Sequence, residues 1–484
     1  MQDQILPHRV VKQLEILKAA KKWQKIIELG QQFLVQYPNN SYHFVADKVH
    51  KHYINALIEE ASFTSAFAEY QLERRDTNKL TIASNEVLCC VAVRNESMRL
   101  PYFLKYYRQK KVTRFFIIDN DSTDGTLEYL LAQADVHVWS STLSFRDANF
   151  GAAWFELLMR RYGLGHWVLI VDADELLYYP MCEKTSLPQF CERLSAQDAK
   201  AYNAILLDMY SDKTIDKTHY TVGHDFLDTC PFFDGQYYHI QRPFHGSFST
   251  QTVYSGGVRK RVFGGDSRAY CLNKIPLLYY TEACILSGGQ HATNYPIEQI
   301  SSGRGCVLHF KFFASFFAYA IKEAKRKVHA AQASEYSTYA EILDDEHTVS
   351  LYDALHSVRL IDSEQLIELG IMRQVSFFEN EYKLYSSTDN DKQLVAYIKM
   401  GESWFTKGNT QKASSYYRKA IELVPRLEMV YHRLAQILQK GGQYKEAIVI
   451  YKQLLSFTPN DIALKHKIEG FENSIRSSSK IICN

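Results

Sequence analysis

Two carboxylates stand one residue apart at the end of an apolar run in Trp167–Glu175, WVLIVDADE. Asp172 and Asp174 are hard oxygen ligands, and at that spacing they suit Mg²⁺ or Mn²⁺ held against a diphosphate. D-x-D alone is common, and a strand ending in a polar turn would read the same way. Two more polar clusters follow apolar runs upstream. Glu86–Asn95, EVLCCVAVRN, runs into Arg94-Asn95-Glu96, and Arg114–Asp119 leads into Ile117–Thr126, IIDNDSTDGT. All three ends are acidic or amide-rich.

These clusters need elements that bring them together. Short β-branched runs without alternation read as strands buried on both faces. Met98–Lys110 reads as a helix between the first two strands. Ser122 or Thr123 is expected to cap a second helix carrying Leu127, Leu130 and Leu131. Strand, helix, strand, helix, strand predicts an α/β domain with a mostly parallel sheet. The three strand ends then converge on the edge where open α/β sheets bind ligands.

From about Val87 to Lys327 the chain resembles a family-2-type glycosyltransferase with the Rossmann-like, nucleotide-sugar-binding GT-A fold. The family's D-D-x-S-x-D-x-T turn reads here Asp119-Asn120-Asp121-Ser122-Thr123-Asp124-Gly125-Thr126. Its N-x-G element is Asn149-Phe150-Gly151, and its D-x-D is Asp172-Ala173-Asp174. R-N-E at Arg94–Glu96 and D-x-D-E at Asp172–Glu175 are similar to a bacterial subgroup. The resemblance implies a nucleoside diphosphate sugar as donor, with a UDP-sugar expected. Asp172 and Asp174 would hold Mn²⁺ or Mg²⁺, and Arg94, Glu96, Asp119 and Asn120 would line the nucleotide. Asn120 replaces the acid that usually reads the base; its amide could donate or accept, so it could face uracil N3–H or another base edge. Ala153-Trp154-Phe155 replaces the usual Ala-Arg-Asn, leaving Arg146 as the nearest phosphate or base contact, or else a solvated loop arginine.

Downstream, Gly256–Phe263, GGVRKRVF, sets three cations after a glycine pair. Strand alternation would put Arg259 and Arg261 on one face, where they could neutralise a leaving diphosphate. A charge-blunted edge strand is the other reading. In related enzymes a late histidine completes the metal site; His309 is the first candidate and His291 the second. The resemblance also implies single displacement with inversion and one carboxylate base. Asp234, in the aromatic cluster Phe232–Tyr238, is preferred over Asp225, Asp228, Asp266 and Glu282, because partial burial would raise its pKa toward the working range.

The ends of the chain follow another rule. Gly408 and Gly442, Ala413 and Ala447, Tyr417 and Tyr451, and Pro425 and Pro459 are each 34 residues apart. That period is the tetratricopeptide pattern, so Leu394–Pro459 resembles two repeats, with Asp461–Arg476 as a capping helix. Trp23–Asn39 aligns with Tyr444–Asn460 at Ile27, Leu34, Pro38 and Asn39. Phe63, Ala66 and Tyr70 repeat the Tyr444, Ala447, Tyr451 spacing. The amino-terminal region is therefore expected to be tetratricopeptide-like too. Such helix pairs offer a concave face to a protein partner, or only buttress a neighbour. The expected division is 1–80 tetratricopeptide-like, 81–345 glycosyltransferase, 346–392 a connection with its hinge at Glu379–Lys392, 393–476 repeats, and 477–484 a tail.

Lys+Arg 56 against Asp+Glu 54 argues against nucleic-acid binding by bulk charge. Aromatics cluster between Tyr202 and Tyr319, which suits a sugar site or a large core equally. Met1–Val10 is polar and unlike a signal peptide. Phe312–Ile321, the most apolar window, is far short of the ~20 residues that span a bilayer. Nine cysteines without a C-x-x-C pair suggest reduced thiols in a cytoplasm and no zinc site.

The expectation is thus a cytoplasmic, metal-dependent glycosyltransferase, peripheral at most to the inner membrane. It would act on a glycan or lipid-linked acceptor in bacterial surface-polysaccharide synthesis. A sugar nucleotidyltransferase would want a Gly-rich phosphate loop, which Arg94–Ser97 is not. A repeat scaffold with an inactive domain is opposed by the intact Asp172 and Asp174.

Overall fold

The computed structural model describes residues 6–37, 43–235, 238–243, 252–264, 271–316, 349–373 and 389–457, apart from isolated positions. The chain divides into two compact units, Met1–Ser376 and Phe377–Asn484. Most of Glu379–Lys392, Asp266 and nearly all of Asp461–Arg476 lie outside the described residues.

The first unit opens with helices α1 (Pro7–Ala19), α2 (Trp23–Gln36), α3 (His43–Glu60) and α4 (Phe63–Glu69). Strands β1 (Glu73–Arg74), β2 (Leu88–Val93), β3 (Arg114–Asp119), β4 (Val136–Ser140), β5 (Trp167–Ile170), β6 (Glu175–Tyr178) and β7 (Ala201–Asp208) follow. Helices α5 (Leu100–Gln109), α6 (Thr126–Leu131), α7 (Ala152–Leu158), α8 (Leu187–Ser195) and α9 (Phe226–Thr229) lie between or after them. Then come β8 (Phe232–Asp234), β9 (Tyr238–Pro243), β10 (Thr252–Gly256), α10 (Gly257–Phe263), β11 (Asn273–Tyr279), β12 (Ile300–His309), β13 (Ser357–Arg359) and α11 (Ser363–Glu368).

Nine strands form one sheet in the order β1-β4-β3-β2-β5-β11-β7-β12-β6. Six of the nine, β2, β3, β4, β5, β7 and β12, run the same way. The sheet is mostly parallel, as the strand–helix alternation predicts. Successive side chains show why the runs are continuously apolar. Cys89, Val91 and Val93 of β2 join Phe115, Ile117, Leu169 and Val171 in one core with Phe103 and Leu104 of α5. Leu88 and Cys90 join Phe116, Ile118, Val168 and Ile170 in the other, with Trp154 and Leu157 of α7. Both faces are covered, so neither could be polar. The second core also takes Ile54 and Leu57 of α3 and Ala66 of α4. The amino-terminal helices thus help to bury the sheet.

Gly256–Phe263 departs from the expected strand. Gly256 and Gly257 have φ of 129° and 69°, which turns the chain out of β10 and into α10. Arg259 and Arg261 consequently do not share a strand face.

The second unit contains α12 (Asp389–Thr406), α13 (Thr410–Leu423), α14 (Glu428–Lys440) and α15 (Tyr444–Phe457). Ala413, Tyr417, Ala420, Leu434, Ala435, Leu438, Ala447 and Tyr451 form its core, which accounts for the small residues at mid-repeat. Gly408 and Gly442, in the α12–α13 and α14–α15 turns, have the same φ of 77°, a left-handed conformation that excludes most side chains. Among the described residues no helix is long and apolar enough to cross a membrane. The eight described cysteines are all free thiols.

Candidate functional site

The parallel register aligns Val93 with Asp119 and Cys90 with Ile170, so the polar turns after β2, β3 and β5 emerge at one sheet edge. The first two are joined side chain to backbone. Asn95 N donates to Ser122 Oγ at 2.9 Å, and Thr123 N donates to Asn95 Oδ1 at 2.8 Å. Ser97 N donates to Asp124 Oδ2 at 3.1 Å, while Arg94 Nη1 reaches Asn120 O at 2.6 Å. Ser122 is therefore engaged across the turn and does not cap α6. Nor does Thr123: the N-cap of α6 is Gly125, without a side-chain cap, and Asp124 Oδ1 accepts from Thr126 N at 3.1 Å.

Asn120 is buried, and its Nδ2 donates to Ser141 O at 2.8 Å and Leu143 O at 2.9 Å. Both amide hydrogens are engaged, which leaves Oδ1 as the group it can offer a ligand. The expected donor-or-acceptor ambiguity is thereby removed: Asn120 presents an acceptor. Asp119 Oδ2 accepts from Ser122 N at 3.2 Å, but its buried Oδ1 has no hydrogen-bond partner. Burial pushes the Asp119 carboxyl up, against the hydrogen bonds from Ser122.

The D-x-D-E turn closes on itself. Glu175 N donates to Asp172 O at 3.0 Å and Asp172 N donates to Glu175 Oε2 at 3.1 Å. Glu175 is thus the clasp of the motif. β11 runs antiparallel to β5, and its amino end returns Lys274 to this turn. The buried Lys274 Nζ lies 2.9 Å from Glu175 Oε1 and 3.5 Å from Asp172 Oδ2. Burial opposes its charge, but Glu175 and Asp172 overcome that and hold the ammonium above its usual range.

Register also delivers the late histidine. His309, the last residue of β12, pairs with Glu175 of β6 on one side and Asp208 of β7 on the other. Its Nδ1 lies 2.6 Å from Asp208 Oδ1 and its Nε2 3.4 Å from Asp174 Oδ2. Asp208 in turn accepts from Arg259 Nε at 2.8 Å. Such a carboxylate behind an imidazole fixes the tautomer that leaves Nε2 directed at the Asp174 side. Burial works against the imidazolium, yet Asp174 and Asp208 together hold it up to about 9. Asp174 is held well below the usual carboxylate range by His309, Arg99 and Lys311 despite its burial. Glu96 is pushed up to about 7 by burial, partly offset by Arg99 at 3.0 Å and reinforced by Asp174 and Asp172.

Other expected residues lie apart from this group. Arg261 grips Asp234 through Nε at 2.9 Å and Nη2 at 2.8 Å, and Tyr210 OH donates to the same carboxylate. Asp234 is fully enclosed, whereas a base must reach the acceptor hydroxyl, so the expected role does not fit its surroundings. The two arginines expected on the diphosphate are likewise ion-paired, Arg259 with Asp208 and Arg261 with Asp234. Asp225 caps α9, and Glu282 pairs with Arg160 at 2.7 Å; Asp228 lies within α9. His291 Nδ1 contacts Asn273 O at 2.7 Å, away from Asp174, and Arg146 lies 3.7 Å from its neighbour Asp147.

Asp208 and Lys274 were not singled out in the sequence. Asp208 had a signal, since Ala201–Asp208 is another apolar run ending in a carboxylate. Lys274 is a lone cation in the apolar run Asn273–Tyr279. Among the described residues no three His, Cys, Asp or Glu side chains form a cage for an ion.

Comparison with known proteins gives two findings. The tetratricopeptide repeat family matches residues 394–426 and 430–461; the amino-terminal helices lie outside these matches. A glycosyltransferase family 92 protein from Ricinus communis is 31% identical over 102 residues, which is 20% of this chain and 18% of that protein. The partial similarity supports glycosyltransferase activity only at a coarse level. It is to a family 92 protein and lends nothing to the expected family-2 subgroup.

Proposed function

We propose that the chain is a glycosyltransferase whose donor, a nucleoside diphosphate sugar, binds along the edge made by the carboxyl ends of β2, β3 and β5. The observation that carries this reading is the convergence of Asp172, Asp174 and His309 on the sheet edge where the buried Asp119 Oδ1 lacks a hydrogen-bond partner. Asp119 Oδ1 suits a nucleoside hydroxyl or N–H, and the Asn120 acceptor suits uracil N3–H.

The donor set fits Mn²⁺ or Mg²⁺. Two ligands at right angles on one ion, with bonds of ~2.1 Å, stand about 3 Å apart, close to the 3.4 Å between Asp174 Oδ2 and His309 Nε2. Diphosphate oxygens would complete the coordination, in keeping with too few protein ligands for a closed cage. Asp174 and His309 would hold the ion, with Asp172 beside them, and the ion would neutralise the leaving diphosphate. Asp208 orients His309, and Glu175 with Lys274 holds the Asp172 end of the turn. The acceptor is a glycan or lipid-linked chain, and the carboxyl-terminal repeats are where a protein partner would dock.

A panel of nucleotide sugars, each with and without Mn²⁺, tests this by thermal stabilisation. A bound donor at 100 times its dissociation constant adds about 2.7 kcal/mol. Stabilisation should be largest for a UDP-sugar with Mn²⁺. If no nucleotide sugar shifts the melting temperature under either condition, the reading fails.

A further inference from the structure

Helix α3 buries four polar side chains, Asp47, His50, Lys51 and Asn55, whose spacing places them on one helix face. A helix that only supported its neighbour would present apolar residues there. Lys51 Nζ lies 2.5 Å from Glu156 Oε1 and 2.9 Å from Tyr280 OH, and His50 Nδ1 lies 2.7 Å from Tyr70 OH. At the amino end of the face, Asp47 Oδ1 accepts from Asn149 Nδ2 at 2.7 Å and from Gly288 N at 3.0 Å.

Those two partners begin two turns that lead to the proposed donor site. Asn149, Phe150 and Gly151 are consecutive left-handed residues, with φ of 53°, 54° and 81°. Such a run persists only where its surroundings over-determine it. The Gly288 turn contains Gln290, whose Oε1 is 3.3 Å from Lys274 Nζ, and Lys274 reaches Asp172. The turns touch: a Cβ on Gly288 would stand 3.0 Å from Asn149 O and 3.3 Å from Phe150 Cδ2. Asp47 is the polar clamp across that contact. Its Oδ2 is buried and has no hydrogen-bond partner, so the clamp operates through one oxygen.

We propose that Asp47 is a positioning residue of the donor site, through which helix α3 sets the placement of the Asn149 and Gly288 turns. Through Gln290 and Lys274, it thereby sets the orientation of Asp172. The inference rests on the reading of Asp172 as part of a nucleotide-sugar site. It makes the amino-terminal helices a working part of the transferase.

Because one acceptor oxygen is used, the amide of Asp47→Asn can replace it and Asp47→Ala cannot. Donor hydrolysis in the full chain should show KM raised about tenfold in Asp47→Ala, the cost typical of losing a supporting hydrogen bond behind a ligand. Asp47→Asn should restore it to near wild type. Gln290→Ala, which leaves α3 intact, should raise KM in the same direction and serves if Asp47→Ala does not fold. Wild-type KM in Asp47→Ala, or an Asp47→Asn variant no better than Asp47→Ala, would overturn the proposal. Hydrogen exchange separates it from the functional reading. Asp47→Ala should accelerate exchange at both Asn149–Gly151 and Ser287–His291 even if the wild type turns over no nucleotide sugar. Unchanged exchange at either turn removes the clamp.

Discussion

Helices α1 to α4 and helices α12 to α15 share an Ala and Tyr register in sequence, but they bury different chemistry. In the carboxyl-terminal repeats, Ala413, Tyr417, Leu434, Ala447 and Tyr451 close a core among themselves. In the amino-terminal helices, Val10, Leu14, Ile26 and Phe33 of α1 and α2 pack with Val49 and Ala56 of α3, and α3 also carries Asp47, His50, Lys51 and Asn55 into the interior. Periodicity reports which positions of a helix pair face inward. It does not report what they meet there. The repeats meet copies of themselves, and α3 meets Asn149, Glu156 and Tyr280.

The widest test of that contrast is deletion. Removing residues 1–75 exposes one face of the sheet core and should give insoluble protein. Removing residues 389–484 should leave donor hydrolysis and soluble yield intact. Equal damage from both deletions, scored by yield and turnover, would erase the distinction. Next, Lys51→Met leaves Glu156 buried without its cation and should cost about 3–5 kcal/mol in denaturant unfolding. The exposed Arg418–Glu446 pair of the repeats, at 2.8 Å, is the control. Arg418→Ala there should cost about 1 kcal/mol or less.

At the acidic edge, Asp174→Asn should reduce donor turnover by about 10²–10³ while the melting temperature holds, because its work is electrostatic. Wild-type turnover with Mn²⁺ present would remove Asp174 from the site. A further expected effect concerns pH. Burial lowers His50 to about 4, with Asp147 opposing the shift. Below its ordinary value near 6.5 the unfolded chain takes up a proton that folded His50 refuses. Stability should therefore fall as pH drops from about 6.5 toward 4. His50→Gln should flatten that slope in chemical denaturation; an unchanged slope would assign it to other groups.

The strand ends were legible because each is local: an apolar run followed by carboxylates or amides needs no knowledge of distant residues. Asp119, Asn120, Asp172 and Asp174 came from that rule, and the repeats came from their period. His309 came from the family resemblance and gains its meaning from cross-strand register with Glu175 and Asp208. What was illegible is long-range. Asp208 and Lys274 acquire their roles from neighbours about a hundred residues away. Arg259 and Arg261 depart from the expected strand alternation because the glycine pair before them, with two positive φ values, begins a helix. Nothing around Asp47 in the sequence distinguishes it from a solvated helix carboxylate.

The position of His309 at the end of β12 carries a consequence for how activity is acquired. Side-chain direction alternates along a strand, so a slip of one residue would present Leu308 or Phe310 where the imidazole now stands. A chain paired out of register would hold nearly all its secondary structure and yet be inert. Contacts between β6, β7 and β12 also close long loops, which makes them slow to form. Refolding should restore circular dichroism before it restores catalysis, and the delay would time the moment when the sheet edge locks. Donor turnover would thus report the register of the sheet edge, which circular dichroism does not.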